Sequence, residues 1–409
     1  VSAPAHAAIA TLPLRGDELT IGGLPAGELA ARVGRTPFYA YDRERLRQRV
    51  AELRAALPPA VSLHYAMKAN PMPALVSFMV PLVDGLDVAS GGELRVALDA
   101  GMAPREISFA GPGKSLAELE QAAAAGILVN VESEREVRLL EQVSARQGRA
   151  ARVAVRVNPD FELKSSAMKM GGGPKPFGID AERVPEVLAD IGRRGLAFEG
   201  FHIFSGSQNL RAEAICEAQS RAFELALRLA AAAPAPVRTL NLGGGFGIPY
   251  FPGETPLDLA PIGAHLADVA ALAAAQLPQA ELIVELGRYL VGEAGYYLCR
   301  VVDRKISRGQ VFLVTDGGLH HHLSASGNFG QVLRKNYPVV VAQRVNGGPR
   351  ETASVVGPLC TPLDLLADRL ALAVAAEGDL IAVLQSGAYG LSASPLGFLS
   401  HPPAVEVLV

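Results

Sequence analysis

Polar side chains recur at the ends of apolar, strand-like runs in this chain. Lys68 follows "VSLHYAM", Asp87 and Ser90 stand in "GLDVAS", and Arg156 and Asn158 close "RVAVRVN". His202 and Ser205 stand in "FHIFS", and Glu285, Gly287 and Arg288 in "ELIVELGR". A lysine so placed is either a capping residue whose ammonium reaches water or a partly desolvated amine that can attack an aldehyde. In "LNLGGGFG", Gly243, Gly244 and Gly245 are adjacent. Successive glycines let backbone N–H groups converge on an anion such as a phosphate, although a tight turn needs only one or two. The spacing is not G-x-G-x-x-G and no Lys-Ser/Thr follows, so neither a dinucleotide fingerprint nor a P-loop is supported. A carboxylate at Glu285 can keep a pyridine nitrogen protonated, Arg288 can bind phosphate, and the His202 ring can lie against an aromatic cofactor. A salt-bridged rim pair and a satisfied core histidine are the plainer readings of the same residues.

These residues need a scaffold that brings strand ends together. From about residue 43 to 290, short apolar or β-branched runs alternate with Ala/Leu/Glu/Arg segments of helical period. Eight strand candidates with intervening helices predict a (β/α)₈ barrel, whose active site lies at the C-terminal ends of its strands. Period alone also admits an open, doubly wound sheet. After about residue 290 the texture changes to strand-like runs split by Gly, Pro and Asn, including "YYLCRVVDRKIS", "QVFLVTDGG" and "DLIAVLQSG". This predicts a barrel over 43–290 and an antiparallel β domain from 1–42 and 291–409, which "GDELTIGG" and "PFYAYD" could join.

Bulk properties narrow the partners. The 409 residues carry a formal net charge of −3 with no block of like charges, which argues against nucleic acid or a membrane surface. The cysteines Cys216, Cys299 and Cys360 are far apart and form neither a disulfide framework nor a metal-ligand spacing, as expected in a reducing cytoplasm. The first residues show no charged stretch followed by a long apolar one, so no signal peptide is expected. His320, His321 and His322 invite a metal reading, but neighbours on a strand point to opposite faces, so no metal site is expected.

The ordered set "YAMKAN", "DVASGGEL", "RVNP", "KPFGI", "FHIFSGSQ", "LNLGGGFG", "ELGR", "GPLCTPLD" and "GAYG" resembles the fold-type III pyridoxal 5'-phosphate (PLP) decarboxylases, which include diaminopimelate, ornithine and arginine decarboxylases. The resemblance spans essentially the whole chain and makes the barrel the PLP-binding domain. It implies a PLP-dependent α-decarboxylase in which Lys68 is the Schiff-base lysine, Asp87 supports the lysine and cofactor region, and Arg156 sits near the PLP phenolic oxygen. It implies further that His202 stacks on the pyridine ring and that Glu285 pairs with its nitrogen. Ser205, Gly244, Gly245, Gly287, Arg288 and the Tyr389 hydroxyl would hold the cofactor, chiefly its phosphate. Cys360 would protonate the carbon left after CO₂ departs, and Asp364, with Arg288 and Tyr389, would place substrate. The loop bearing this cysteine comes from the partner subunit in the family, so a homodimer with shared sites is implied.

The pattern also departs from the family. "EPGR" becomes "ELGR", with Leu286 for proline, and "HIGS" becomes "HIFSGS", so Ser205 and Ser207 compete for the phosphate; Ser205 keeps the distance from His202. Diaminopimelate decarboxylases carry an acidic residue after the cysteine, where Thr361 stands here, and an arginine near the position of Ser324 or Ala325. Losing both should weaken binding of a distal amino-acid centre. "HHHLSASGNFG" and "RKNYPV" look more like exosortase-associated decarboxylases and those acting on carrier-protein-tethered aminoacyl groups. The expected substrate is therefore an L-amino acid or an aminoacyl group, free or carrier-linked. A diaminopimelate decarboxylase is the alternative, and a PLP racemase is disfavoured because it would prefer an arginine at the position of Glu285.

Overall fold

The computed structural model describes residues 6–161, 168–169, 171–329, 331 and 333–409. The chain divides into two compact units, one of residues 49–248 and 257–287, the other of 1–48, 249–256 and 288–409. The segment Pro249–Pro256 thus belongs with the second set although it lies inside the βα repeat of the sequence.

The first unit is a closed parallel barrel. Its strands are Val61–Ala66 (β1), Gly85–Val88 (β2), Ile107–Phe109 (β3), Leu128–Val131 (β4), Arg152–Asn158 (β5), Ala197–Ile203 (β6), Thr239–Gly244 (β7) and Glu281–Leu286 (β8). Each pairs in parallel with the next, β8 pairs with β1, and Asn130 on β4 opposite Ala154 on β5 completes the ring, which excludes the open sheet. The strands are buried almost throughout, as parallel strands covered on both faces must be. Serines start several of the returning helices. Ser90, Ser115 and Ser133 each accept the backbone N–H of the glutamate three residues on, and Ser115 with Glu118 forms a full capping box. Ser90 is therefore a helix cap and not the end of β2.

In the second unit, Gly295–Ser307 is the central strand. It pairs antiparallel with Gln310–Thr315, Leu380–Val383 and Phe38–Tyr41. The sheet is mostly antiparallel, with two parallel pairings: Gln310–Thr315 with Arg350–Val356, and Phe38–Tyr41 with Val405–Leu408. Phe38–Tyr41 joins this sheet as expected, whereas Glu18–Ile21 forms a separate three-stranded meander. Both share one core, in which Leu19, Ile21 and Leu29 meet Phe38, Tyr296, Leu298, Val340 and Leu380. The strand Leu365–Ala373 was not among the sequence candidates. Its "LLADRLALA" has helix-forming residues, and pairing with Arg350–Val356 overrides that preference.

Candidate active site

The strand ends of the barrel converge as a (β/α)₈ scaffold requires, with one change in detail. β1 ends at Ala66, so Lys68 is not its last residue but lies in the 3₁₀ turn Met67–Ala69. Gly287 packs against that turn, and a Cβ there would lie 3.0 Å from both the Ala66 carbonyl oxygen and the Ala69 methyl. Lys68 Nζ stands 3.5 Å from Glu285 Oε1 and 5.9 Å from the centre of the Phe204 ring. Glu285 Oε2 lies 3.0 Å from His202 Nε2. Glu285 is buried, which by itself would raise its pKa. The Lys68 ammonium and then His202 outweigh this, so the carboxyl is held well below its usual range and stays ionised.

Arg156, at the end of β5, donates to Glu132 at 2.7 Å and lies over the Phe177 ring at 5.2 Å. Glu132 also accepts the N–H of Gly178 at 3.0 Å. Its burial raises its pKa, but Arg156 and Lys114 bring the net value below normal. Asp87 on β2 accepts the Ser108 hydroxyl at 2.6 Å and meets His64 Nδ1 at 3.1 Å with the same oxygen, while its other oxygen is buried without a partner. Glu132, His64 and Ser108 escaped the sequence reading, as did Glu93, whose carboxyl pKa is raised by burial against the opposing Ala89 N–H and Lys68 charge. Glu132 had a visible signal, a carboxylate just past the strand in "LVNVES"; His64 and Ser108 sit mid-pattern among apolar residues and carried none.

Gly244 ends β7 so close to β8 that a Cβ would lie 2.1 Å from the Glu285 carbonyl oxygen. At Gly245, φ is +76° and a Cβ would lie 2.2 Å from the Gly206 carbonyl oxygen. Only glycine fits either position. Ser205 lines the same cavity as Gly244 and Gly245, whereas Ser207 belongs to a two-residue strand paired with Met168–Lys169.

In the other unit, Arg288 is enclosed by tyrosines. Its guanidinium lies 5.4 Å from the Tyr250 ring centre and 4.8 Å from that of Tyr389, and donates to the Tyr250 hydroxyl at 3.1 Å. Burial opposes its charge, but the oxygens of Tyr250, Tyr389 and Tyr337 raise its pKa on balance. Its Nε is buried without a partner. Tyr389 holds a φ of +52°, which a non-glycine residue adopts only under local constraint. Tyr250 and Tyr337, whose tilted rings lie 4.6 Å apart, are neighbours of Arg288 that the motifs did not single out.

Cys360 is exposed on the loop between the strands Arg350–Val356 and Leu365–Ala373. Asp364 anchors that loop: its carboxylate accepts Leu319 N–H at 2.6 Å and Leu359 N–H at 2.8 Å. Ser324 donates to the Tyr389 carbonyl at 2.8 Å. His320, His321 and His322 lie in a turn and not on a strand, so the alternation argument does not apply to them. His322 is taken up by Ser386, and His321 by Pro402. Among the described residues, no group of three or more His, Cys, Asp or Glu side chains is placed to hold a metal.

The donor set fits PLP. An amine beside a buried carboxylate, a buried histidine and a glycine turn closed to any side chain, all in the barrel, are groups among which an aldehyde, an aromatic ring and a phosphate would find partners. Fold and site together define a PLP enzyme of the barrel type. Residues 43–292 match the family described as pyridoxal-dependent decarboxylase, pyridoxal binding domain. The chain is 39% identical over 381 residues to L-glutamyl-[BtrI acyl-carrier protein] decarboxylase of Niallia circulans, covering 91% of this chain and 88% of that one. It is 33% identical to diaminopimelate decarboxylase of Aquifex aeolicus, covering 97% and 92%. The crystal structure of diaminopimelate decarboxylase from Helicobacter pylori complexed with L-lysine superposes with a TM-score of 0.82 at 29% identity, covering 94% of each chain. The chain belongs to the fold-type III PLP-dependent decarboxylases, and PLP is its cofactor. No helix among the described residues is long and apolar enough to cross a membrane.

Proposed function

We propose that this PLP-dependent decarboxylase removes the α-carboxyl group of an L-amino acid whose side chain is tethered to a carrier protein, with glutamyl the first candidate. PLP supplies the electron sink that accepts the pair released when CO₂ departs. Lys68 is the amine that would hold the cofactor's aldehyde. Glu285 stays ionised to keep the ring nitrogen protonated, and the His202 ring packs against the cofactor. Arg156, steadied by Glu132, faces the phenolic oxygen. Ser205, Gly244, Gly245, Arg288 and Tyr389 take the phosphate. Cys360 delivers the proton to the α-carbon. Asp364 orders the Cys360 loop through two backbone N–H groups, which supports a positioning role for it besides the substrate contact that the family resemblance implies. The family's shared-site homodimer and a cytoplasmic setting complete the reading.

The observation that carries the substrate is the loss of charge at two distal positions. Thr361 follows Cys360, and Ser324 spends its hydroxyl on the Tyr389 carbonyl. Neither Thr361 nor Ser324 carries the charge that the family resemblance places at these two positions. α-Decarboxylation needs a free α-amine and a free α-carboxylate, so a carrier must be joined through the side-chain carboxyl. That linkage also removes the distal charge, in keeping with a pocket that lacks a partner for it. The relative from Niallia circulans, whose name gives a carrier-bound glutamyl substrate, supports the same choice. The test is CO₂ release with mass analysis of product, offering meso-diaminopimelate, L-lysine, L-glutamate and side-chain-linked glutamyl thioesters of pantetheine and of a carrier protein. Turnover of the thioesters alone is expected. Efficient turnover of free diaminopimelate would overturn the reading of Thr361 and Ser324.

A further inference from the structure

Gln219 is a buried polar residue with no role in the site as described. It lies in the helix Ala212–Ala230, is 1% exposed, and neither its amide nitrogen nor its amide oxygen has a hydrogen-bond partner. Buried amides are nearly always paired, because leaving both ends unpaired is costly. Gln219 lines a cavity of about 20 Å³ together with Ser205, Gly206, Asn209, Gly244 and Gly245. That is more than the about 10–15 Å³ that a single water needs. The helix residues beside it, Ala214, Ile215 and Ala218, are apolar and offer the amide nothing. Asn209 is committed elsewhere: its N–H donates to the Gly245 carbonyl, its carbonyl accepts Gly247 N–H, and its side-chain oxygen accepts Arg211 N–H. The other polar groups lining the cavity are the Gly244–Gly245 turn, Gly206, Ser205 and the side-chain amide nitrogen of Asn209.

We propose that Gln219 is a positioning residue of the phosphate cradle, holding one buried water that links its amide to the Gly244–Gly245 turn. The proposal rests on reading that turn, with Ser205, as the place of the PLP phosphate. An amide suits the task because it both donates and accepts, so one water can be held against the turn in either orientation. A carboxylate at the same place would set a negative charge behind an anion site.

The test compares binding of PLP with binding of pyridoxal, which lacks the phosphate, to the full-length apoprotein by absorbance titration. The ³¹P resonance of bound PLP gives a second readout. Gln219→Leu is expected to weaken PLP by up to about tenfold, the upper end of the net worth of one neutral hydrogen bond, and to leave pyridoxal binding as in the wild type. Gln219→Glu should weaken PLP further and shift the ³¹P resonance. Gln219→Glu keeps the polar shape and carries the test if the leucine variant fails to fold. An unchanged PLP-to-pyridoxal preference in both, or an equal loss for both ligands, overturns the proposal. Ser205→Ala separates the premise: if it too leaves the preference unchanged, the phosphate lies elsewhere and the cradle reading fails with the proposal. If it lowers the preference while the Gln219 variants do not, only the proposal fails.

Discussion

Glu285 and Lys68 face each other across the barrel mouth, carboxylate oxygen to ammonium at 3.5 Å, with the carboxylate buried and the lysine side chain 43% exposed. Burial alone would raise the Glu285 pKa; Lys68, with His202, brings it well below the usual carboxylate range. An amide in place of the carboxylate keeps the shape and removes the charge. Glu285→Gln should lower kcat by about 100-fold or more, the scale set by losing one preorganised electrostatic partner. It should still take up PLP, as the visible spectrum would report. Full activity in this variant would remove Glu285 from the ring nitrogen.

Lys68 answers a simpler question. Borohydride should fix PLP covalently to the wild-type protein and abolish its visible band, and Lys68→Ala should carry no such adduct by mass spectrometry. A covalent adduct retained in Lys68→Ala would transfer the assignment to another lysine.

Cys360 is exposed on a loop that Asp364 anchors. Removing a positioned general acid costs about 10²-fold or more. Cys360→Ala should therefore slow product formation on that scale or divert the proton to the cofactor, giving an aldehyde product detectable by mass analysis. Unchanged kinetics and clean amine product would take Cys360 out of the mechanism.

His322 predicts acid sensitivity. Burial lowers its pKa to about 3. Its Nε2 lies 2.8 Å from Ser386 Oγ, and its Nδ1 accepts Ala325 N–H at 3.3 Å, a role open only to the neutral ring. The unfolded chain protonates this histidine near 6.5, so its contribution to stability is full above that pH and is lost as pH falls toward about 3. Between about pH 7.5 and about pH 5 the loss is about 2 kcal/mol. Thermal melts of His322→Gln should show a shallower fall of Tm over that range than the wild type, and parallel curves would contradict the assignment.

Much of this protein is written locally. Apolar runs alternating with helical segments are a short-range pattern, and serines placed three residues before glutamates mark helix starts, so the βα repeat is legible residue by residue. Lys68, His202, Gly244, Glu285 and Arg288 are legible too, because their types and their place after apolar runs already state a chemistry. What no local pattern states is which partner each one meets. Closure of the ring depends on Asn130 pairing with Ala154, and Glu285 reaches Lys68 across 217 positions. Glu132 beneath Arg156, His64 against Asp87 and the unpaired amide of Gln219 became visible only once strands and helices were packed. The strand Leu365–Ala373 reverses its own local preference for the same reason: backbone hydrogen bonds to a distant strand outweigh the weak propensities of its residues. Residue type is a property of one position, and the tertiary fold alone decides which charges share a buried space.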